Sequence, residues 1–289
     1  MRLLLRSWLW LLVLVPAMPA VSAGTAAKPA IVLVAFGTST PAVATYDHFD
    51  KKVKERFSGY EVRWAFTSQR LKVRLQEERK VVLEELPQVL KELKAAGFAQ
   101  VAIQSLHVVP GEEWDEVVKD AQSVPGLKVA TGAPLLNSPE DRQRVLQALK
   151  PGFPPDLKNN AVVLVAHGSR HPRGEAQYLA FAQLIRSRFP HKNIFLGALM
   201  GKPSRGETLG AVKASGASTV VFIPLVFVAG EHISKDILGD EPDSWKSELL
   251  RHKPYSIQGI RQGLGYQEGV IQVYLDHLAG ALKKVSSEQ

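Results

Sequence analysis

The chain has 289 residues, of which 45% are hydrophobic and 22% are charged, and its formal net charge is +8 at pH 7. This composition excludes a largely disordered chain, and the lack of any cysteine excludes disulfide bonds and thiolate-bound metal sites. The positive charge favours an anionic partner. However, the basic residues are scattered along predicted helices without interleaved aromatic residues, which argues against nucleic acid.

Residues 1–23 have the layout of a cleavable secretory signal peptide. Two arginines near the start precede an apolar run over residues 7–15, and the small residues Val21 and Ala23 precede the predicted cleavage point. A membrane anchor is the alternative interpretation, but this run is much shorter than the roughly 20 apolar residues that span a bilayer. We therefore expect export to the periplasm, with no membrane span after cleavage.

From Ala30 onwards, apolar runs typical of buried strands alternate with stretches that have the period of amphipathic helices. In the first half, the predicted strands cover residues 30–36, 61–68, 100–109 and 127–136. The predicted helices there cover residues 41–57, 70–98 and 139–150. Pro87 predicts a new turn or a kink in the second of these helices, and Gly97 predicts its end.

A linker rich in proline and glycine covers residues 151–160, and the alternation then starts again. The predicted strands of the second half cover residues 161–167, 193–200 and 218–228, and its helices cover residues 175–189, 206–216 and 266–285. Strands that alternate with helices predict parallel sheets with right-handed crossovers. We therefore predict an α/β protein with two similar Rossmann-like lobes, over residues 24–150 and 151–289.

Two segments of the first half recur in the second, which indicates an internal duplication. The sequence IVLVAFGTS at residues 31–39 matches VVLVAHGSR at residues 162–170, and residues 96–114 match residues 215–233. The second half is shorter between these two segments, which indicates a deletion there. The duplication predicts two related lobes with a cleft between them.

The aligned repeats pair Phe36 with His167 and Glu113 with His232. These residues follow predicted strands, and ligands of open parallel sheets bind beyond the carboxyl ends of the strands. Two imidazoles and a carboxylate form a ligand set for a borderline divalent cation such as cobalt, nickel, iron or zinc. The sequence therefore predicts a metal site in the cleft.

Each of these residues also has a purely structural interpretation. A histidine at a strand end can cap or pack, and Glu113 can instead favour the N-terminal dipole of the helix that it begins. His107 falls within a predicted strand, so it is either buried and hydrogen-bonded or directed into the cleft. These alternatives stay open at the level of the residues alone.

Six motifs together resemble one enzyme family in their order and spacing. They are LVAFGTS, RWAFTS, AIQSLHVVPGEEW, LVAHGS, FVAGEHISKDILGDEPDSWK and GLGYQEG, and they extend from about residue 30 to the C-terminus. The chain is similar to the cobaltochelatases of the anaerobic pathway, which are class II chelatases that insert Co2+ into sirohydrochlorin. With its signal peptide, it resembles their periplasmic branch from sulfate-reducing bacteria. The resemblance implies an ATP-independent enzyme with the ferrochelatase-like arrangement of two lobes and an anionic tetrapyrrole in the cleft.

The resemblance places the catalytic, metal-binding histidines of the family at His167 and His232, with Glu113 as a third metal ligand in some members. Another acidic position of the family falls on Met200. A thioether is a weak ligand for such ions, so either Glu113 completes the site or metal affinity is reduced. The predicted substrate contacts are Phe36, Thr38, Ser39, His107 and Ser169, and the predicted partners of the substrate carboxylates are Arg70, Arg170 or Lys202.

The resemblance also has implications for the choice of metal substrate and for the oligomeric state. Co2+ is the predicted metal substrate, and Fe2+, which would give sirohaem, suits the same ligands. Periplasmic members can carry haem between the subunits of a tetramer, so we expect a homo-oligomer, although no haem ligand is assigned in this sequence. The alternative function is an exported two-lobed carrier of metal or haem without catalysis, which the methionine at position 200 favours.

Overall fold

The computed structural model describes residues 28–287 as two lobes, each built on a four-stranded parallel sheet. Residues 1–27, which contain the predicted signal peptide, and residues 288–289 lie outside the described residues. Within the described range, no helix is both long enough and apolar enough to span a bilayer.

The first sheet has the strand order β2-β1-β3-β4, and the second has the order β6-β5-β7-β8. The strands of the first sheet are β1 (Ala30–Ala35), β2 (Val62–Phe66), β3 (Gln100–Ser105) and β4 (Lys128–Gly132). The strands of the second sheet are β5 (Asn160–Ser169), β6 (Ile194–Gly201), β7 (Thr219–Leu225) and β8 (Ser256–Gly259). Neighbouring strands run parallel in both sheets. This architecture confirms the predicted α/β fold with two similar lobes.

Nine α-helices flank the sheets within residues 28–287. Those of the first half are α1 (Ala44–Arg56), α2 (Gln69–Arg79), α3 (Leu86–Ala95), α4 (Glu112–Asp120) and α5 (Pro139–Leu149). Those of the second half are α6 (Pro172–Arg188), α7 (Arg205–Ala214), α8 (Trp245–Leu250) and α9 (Glu268–Ser287). A short π-helix, Ile233–Ile237, follows β7. Because helices cover the sheets, the apolar central strands are buried on both faces, and every residue of β1 is at most 2% exposed.

The predicted helix over residues 70–98 is in fact two helices. Helix α2 ends at Arg79, Lys80 adopts the left-handed conformation with φ of 56°, and α3 begins at Leu86 with Pro87 in its first turn. Proline fits the first turn of a helix because the amide hydrogen that it lacks would have no partner there. The second lobe has only α7 between β6 and β7. The presence of α2 in the first lobe alone therefore accounts for the shorter second half.

Two strand ends and two further elements also differ from the predictions. Strand β5 continues two residues past its predicted end, and Ser169 pairs with Gly201 of β6. Strand β3 ends at Ser105, so His107 lies beyond the strand and not within it. The elements α8 and β8 were not predicted at all, because α8 has only six residues and β8 is a largely exposed edge strand of four.

The last helix returns from the second half to the first sheet. The Tyr274 hydroxyl of α9 donates to the backbone carbonyl oxygens of Leu106, at 3.1 Å, and His107, at 3.3 Å. One continuous apolar cluster contains Leu33 of β1, Leu164 of β5 and Leu278 of α9. The lobes thus share a core, which holds the carboxyl ends of both sheets around one cleft. The predicted lobe boundary near residue 150 stays a prediction.

We expect Asp141→Asn to lower the free energy of unfolding by about 1–2 kcal/mol at neutral pH. The Asp141 carboxylate accepts hydrogen bonds from Ser138 Oγ, at 2.6 Å, and lies 3.0 Å from His277 Nε2 of α9. Burial alone raises the pKa of Asp141, but the hydrogen bonds from His277 and Ser138 outweigh it and lower the pKa below its ordinary value. The stabilisation is therefore present above the ordinary aspartate pKa and disappears as the pH falls through the lower folded value.

Urea denaturation of the wild type and of Asp141→Asn, at neutral pH and at about pH 3, measures the difference in their free energies of unfolding. Glu140→Gln is the matched control, because Glu140 is an exposed carboxylate in the same first turn of α5. Equal losses of unfolding free energy in Asp141→Asn and Glu140→Gln would show that the contact with α9 does not contribute to stability.

Candidate functional site

A cavity of about 470 Å3 opens between the lobes at the carboxyl ends of the central strands. Its wall includes residues that follow β1, β3 and β7, residues near the end of β5, and residues of α2. Its volume falls in the range of about 300–1,000 Å3 that is usual for small-molecule sites. Seven of the eight predicted site residues line it, namely Phe36, Thr38, Ser39, His107, Glu113, His167 and His232.

The two predicted metal-binding histidines face each other in this cavity. The ring centroids of His167 and His232 are 5.5 Å apart, with an angle of 62° between the ring planes. Burial lowers the pKa of His167, and the neighbouring His232 lowers it further. The neutral form of His167 is therefore favoured, and a neutral imidazole has the lone pair that a metal cation needs.

His232 is oriented by a carboxylate of the π-helix. Its Nδ1 lies 2.5 Å from Oδ2 of Asp236, which is one helical turn further along the chain. A carboxylate only accepts hydrogen bonds, so the neutral His232 ring has its hydrogen on Nδ1 and its lone pair on Nε2. Sequence reasoning missed Asp236, although the spacing of histidine and aspartate four residues apart would have indicated it.

Glu113 and His107 are the predicted site residues that follow β3 of the first lobe, and the charge of Glu113 acts on both His107 and His167. Glu113 lies in the first turn of α4 and also lines the cavity, so both interpretations from the sequence describe its position. Nδ1 of His107 forms a hydrogen bond with Ser105 Oγ, 2.7 Å away. Burial lowers the pKa of His107 to about 4. His107 is therefore neutral at physiological pH. It is both hydrogen-bonded and part of the cavity wall.

Within residues 28–287, no three His, Asp or Glu side chains are close enough together to hold a metal ion. The predicted set of His167, His232 and Glu113 thus shares one cavity without forming a closed three-ligand site. Such an open arrangement is suited to a metal that passes through the site, because structural metal sites are fully coordinated by the protein whereas reactive ones keep open positions.

The cavity wall of the first lobe presents Phe36, which is 47% exposed, with its ring centroid 6.4 Å from that of His167. The segment that follows β1 is attached to α2, because Arg74 donates to Ser39 Oγ and Arg79 donates to the Ser39 carbonyl oxygen. Helix α2, which the second lobe lacks, thereby shapes the wall next to Thr38 and Ser39. An exposed aromatic ring beside two imidazoles is a surface for a flat macrocycle.

The structure does not place Ser169 on the cavity. Ser169 is 9% exposed, belongs to β5, and its Oγ accepts a hydrogen bond from the backbone amide of His171. Because β5 continues past His167, Ser169 lies at the turn into α6. Its predicted contact with substrate stays a prediction. Met200 does not line the cavity either, although Gly168, with which it pairs in the sheet, does. Of the predicted carboxylate partners, Arg70 lines the cavity, whereas Arg170 and Lys202 do not.

Two tyrosines that the sequence analysis did not single out occupy equivalent places in the two lobes. The backbone amide of Gly37 donates to the Tyr46 hydroxyl at 3.1 Å, and that of Gly168 donates to the hydroxyl of Tyr178. Both glycines have positive φ, 101° and 86°, which favours glycine at the turn that ends each central strand. Both tyrosines line the cavity and hold these turns, so the duplication extends to the wall of the site.

Comparison with known proteins agrees with this geometry. The family model described as cobalt chelatase (CbiK) matches residues 29–283. The chain is 36% identical to the sirohydrochlorin cobaltochelatase CbiKC of Nitratidesulfovibrio vulgaris, over 88% of this chain and 91% of that protein. It is 30% identical to the sirohydrochlorin cobaltochelatase of Salmonella typhimurium, over 78% of this chain and 84% of that protein.

A shorter relative and a solved structure complete the comparison. A sirohydrochlorin cobaltochelatase of Saccharolobus islandicus is 31% identical over 39% of this chain but 88% of its own length, as expected if that protein corresponds to one lobe. The structure of SirB from Bacillus subtilis with Fe3+ superimposes with a TM-score of 0.63 at 18% identity, covering 91% of this chain and 98% of that chain. This likeness supports the two-lobed fold. The family match and the identities to its members show that the chain belongs to the cobalt chelatase (CbiK) family.

Proposed function

We propose that the protein is a sirohydrochlorin cobaltochelatase, a metal chelatase that inserts Co2+ as one substrate into sirohydrochlorin as the other. The observation that carries this proposal is the facing pair of imidazoles, His167 and His232, in a cavity between the lobes of a CbiK-family chain. Imidazole nitrogen is a good ligand for borderline divalent cations, and the lack of cysteine excludes tight thiolate capture.

The charge balance of the reaction explains why neutral imidazoles suit it. One divalent cation enters the macrocycle and two pyrrole N–H protons leave, so no electron transfer is required. In this proposal, Nε2 of His232 and the lone pair of His167 hold the incoming cation on one face of the ring. As the cation moves to the pyrrole nitrogens, the released imidazoles can accept the departing protons, with Glu113 as a further acceptor.

The electrostatics of the cavity suit the other substrate, which is a polycarboxylate. Arg70 and Arg74 of α2 line the cavity, and the whole chain has a formal charge of +8 at pH 7. Net positive potential raises the rate of encounter with an anionic ligand. Phe36 offers an apolar surface for the ring itself.

We expect the purified protein, present in sub-stoichiometric amount, to convert several equivalents of sirohydrochlorin when Co2+ is added under anaerobic conditions. The change in the absorbance spectrum of the tetrapyrrole, compared with the spontaneous reaction, measures turnover. The same measurement with Fe2+ decides the metal preference, since the ligands present suit both ions. A single equivalent bound without turnover would contradict the proposal and indicate a carrier of metal or tetrapyrrole.

Export to the periplasm and assembly into a homo-oligomer are further proposals. Export is supported by residues 1–23 alone, and N-terminal sequencing of the protein from the periplasmic fraction tests it. A start at Gly24 is expected, and a retained Met1 would contradict cleavage.

A further inference from the structure

A second cavity, of about 360 Å3, adjoins the site that contains the histidines. The two cavities share Thr40, Gly230 and Ile233 in their walls, so a ligand can extend from one into the other over this ridge. Gly230 contributes no side chain to the ridge, and a Cβ there would only reach ordinary contact distance of Thr38 Oγ1, at 3.4 Å. Nothing in the proposed chemistry of His167 and His232 uses this second space.

The charge of the second cavity comes from Arg261. Its wall consists otherwise of uncharged residues, among them Thr40, Ser234 and Gln262. Arg261 is exposed, and within residues 28–287 it has no ion pair or hydrogen bond to another side chain. An arginine without a counter-charge, in a concave and otherwise neutral wall, is suited to bind a carboxylate through paired N–H donors.

The GLGYQEG motif builds the wall that presents Arg261. A Cβ at Gly263 would lie 2.4 Å from the carbonyl oxygen of Phe227, and one at Gly265 would lie 2.4 Å from Thr45 Cγ2. Glycine at these two positions therefore lets the loop pack directly against the segment after β7 and against α1. Tyr266 completes the wall, with its ring centroid 4.9 Å from that of His48. The loop over residues 261–266 is thus packed against both neighbouring segments beside the ridge.

We propose that this second cavity is a subsite for a peripheral carboxylate arm of the tetrapyrrole, and that Arg261 binds the carboxylate. The macrocycle would lie in the larger cavity next to Phe36, while one arm crosses the ridge at Gly230. Arg70 of α2 would bind a second carboxylate from the side of the first lobe. With carboxylates held on two sides, the macrocycle could not rotate relative to His167 and His232. Arg261 is in this sense a specificity residue that selects polycarboxylate macrocycles.

This inference rests on the proposed function for the identity of the ligand, and equilibrium binding without metal tests it separately from turnover. We expect Arg261→Gln to raise the Kd for metal-free sirohydrochlorin, followed by its own fluorescence, about tenfold or more, the usual loss for a charge-assisted hydrogen bond. Arg261→Lys, which keeps the charge but not the paired donors, should give an intermediate Kd.

The control is Arg188→Gln, which removes the same charge from the last residue of α6, at the opposite edge of the second sheet. The fully methyl-esterified tetrapyrrole should bind wild type and Arg261→Gln equally, because it has no carboxylate for Arg261. Kd values for sirohydrochlorin that are the same in Arg261→Gln and Arg188→Gln would overturn the subsite. Binding that depends on Arg261 in a protein without turnover would instead overturn the chelatase function alone.

Discussion

Replacing either His167 or His232 by alanine is expected to lower kcat/KM for Co2+ insertion about a hundredfold or more, which corresponds to a loss of roughly 3 kcal/mol. The described residues offer no closed set of three ligands, so the cation depends heavily on these two imidazoles. Removing one leaves a single imidazole ligand from this pair. Initial rates at several concentrations of each substrate, measured anaerobically by absorbance, give the effect on each KM separately.

The KM for sirohydrochlorin should change little in these variants, because the ring and its carboxylates contact other parts of the cavity wall. His191→Asn is a matched control, since His191 is exposed, lies far from the cavity before β6, and has a φ of 59° that asparagine tolerates. Activity that survives in both alanine variants would contradict the role of the facing imidazoles. A loss in only one would show that a single histidine holds the cation.

The position of the site could be predicted from the sequence because it depends on topology. Apolar runs identify parallel strands, the carboxyl ends of parallel strands meet at one edge, and the duplication indicates which ends are equivalent. Phe36, His167 and His232 were located by this reasoning and do line one cavity. The repeats have also diverged at these positions, since only the second lobe has a histidine at both of them.

Other features of the fold and of the site could not be predicted, because they depend on contacts between residues that are far apart in the sequence. The end of β5 is set by its pairing with β6, which places Ser169 within the sheet. The edge strand β8 has only four residues and little apolar character, so its pairing with β7 defines it. The role of α2 as a wall of the site follows from its contacts with Ser39, which join residues that are about 35 positions apart. The second cavity likewise requires three distant segments to meet at Arg261.

Asp236→Asn is expected to weaken the apparent affinity for Co2+ about 10- to 100-fold, the usual effect of removing a carboxylate that orients a metal-binding histidine. In the wild type, Asp236 accepts the hydrogen bond from Nδ1 of His232, which fixes the orientation of the ring and leaves the lone pair on Nε2 for the cation. An asparagine can still accept this hydrogen bond, but it lacks the charge and can also rotate its amide group towards the ring. The effect should therefore fall on the KM for Co2+ more than on kcat at saturating metal.

Asp240→Asn is the control, because it removes an exposed carboxylate from the same segment and leaves His232 untouched. The visible absorption of Co2+ bound to the protein without tetrapyrrole provides a readout that is independent of turnover. It should weaken in Asp236→Asn at a given Co2+ concentration and stay unchanged in Asp240→Asn. Identical titrations for the two variants would show that Asp236 only stabilises the π-helix. If Asp236→Asn loses the spectrum at every Co2+ concentration, Asp236 is itself a ligand, and the cation is bound on the second lobe before it meets the ring.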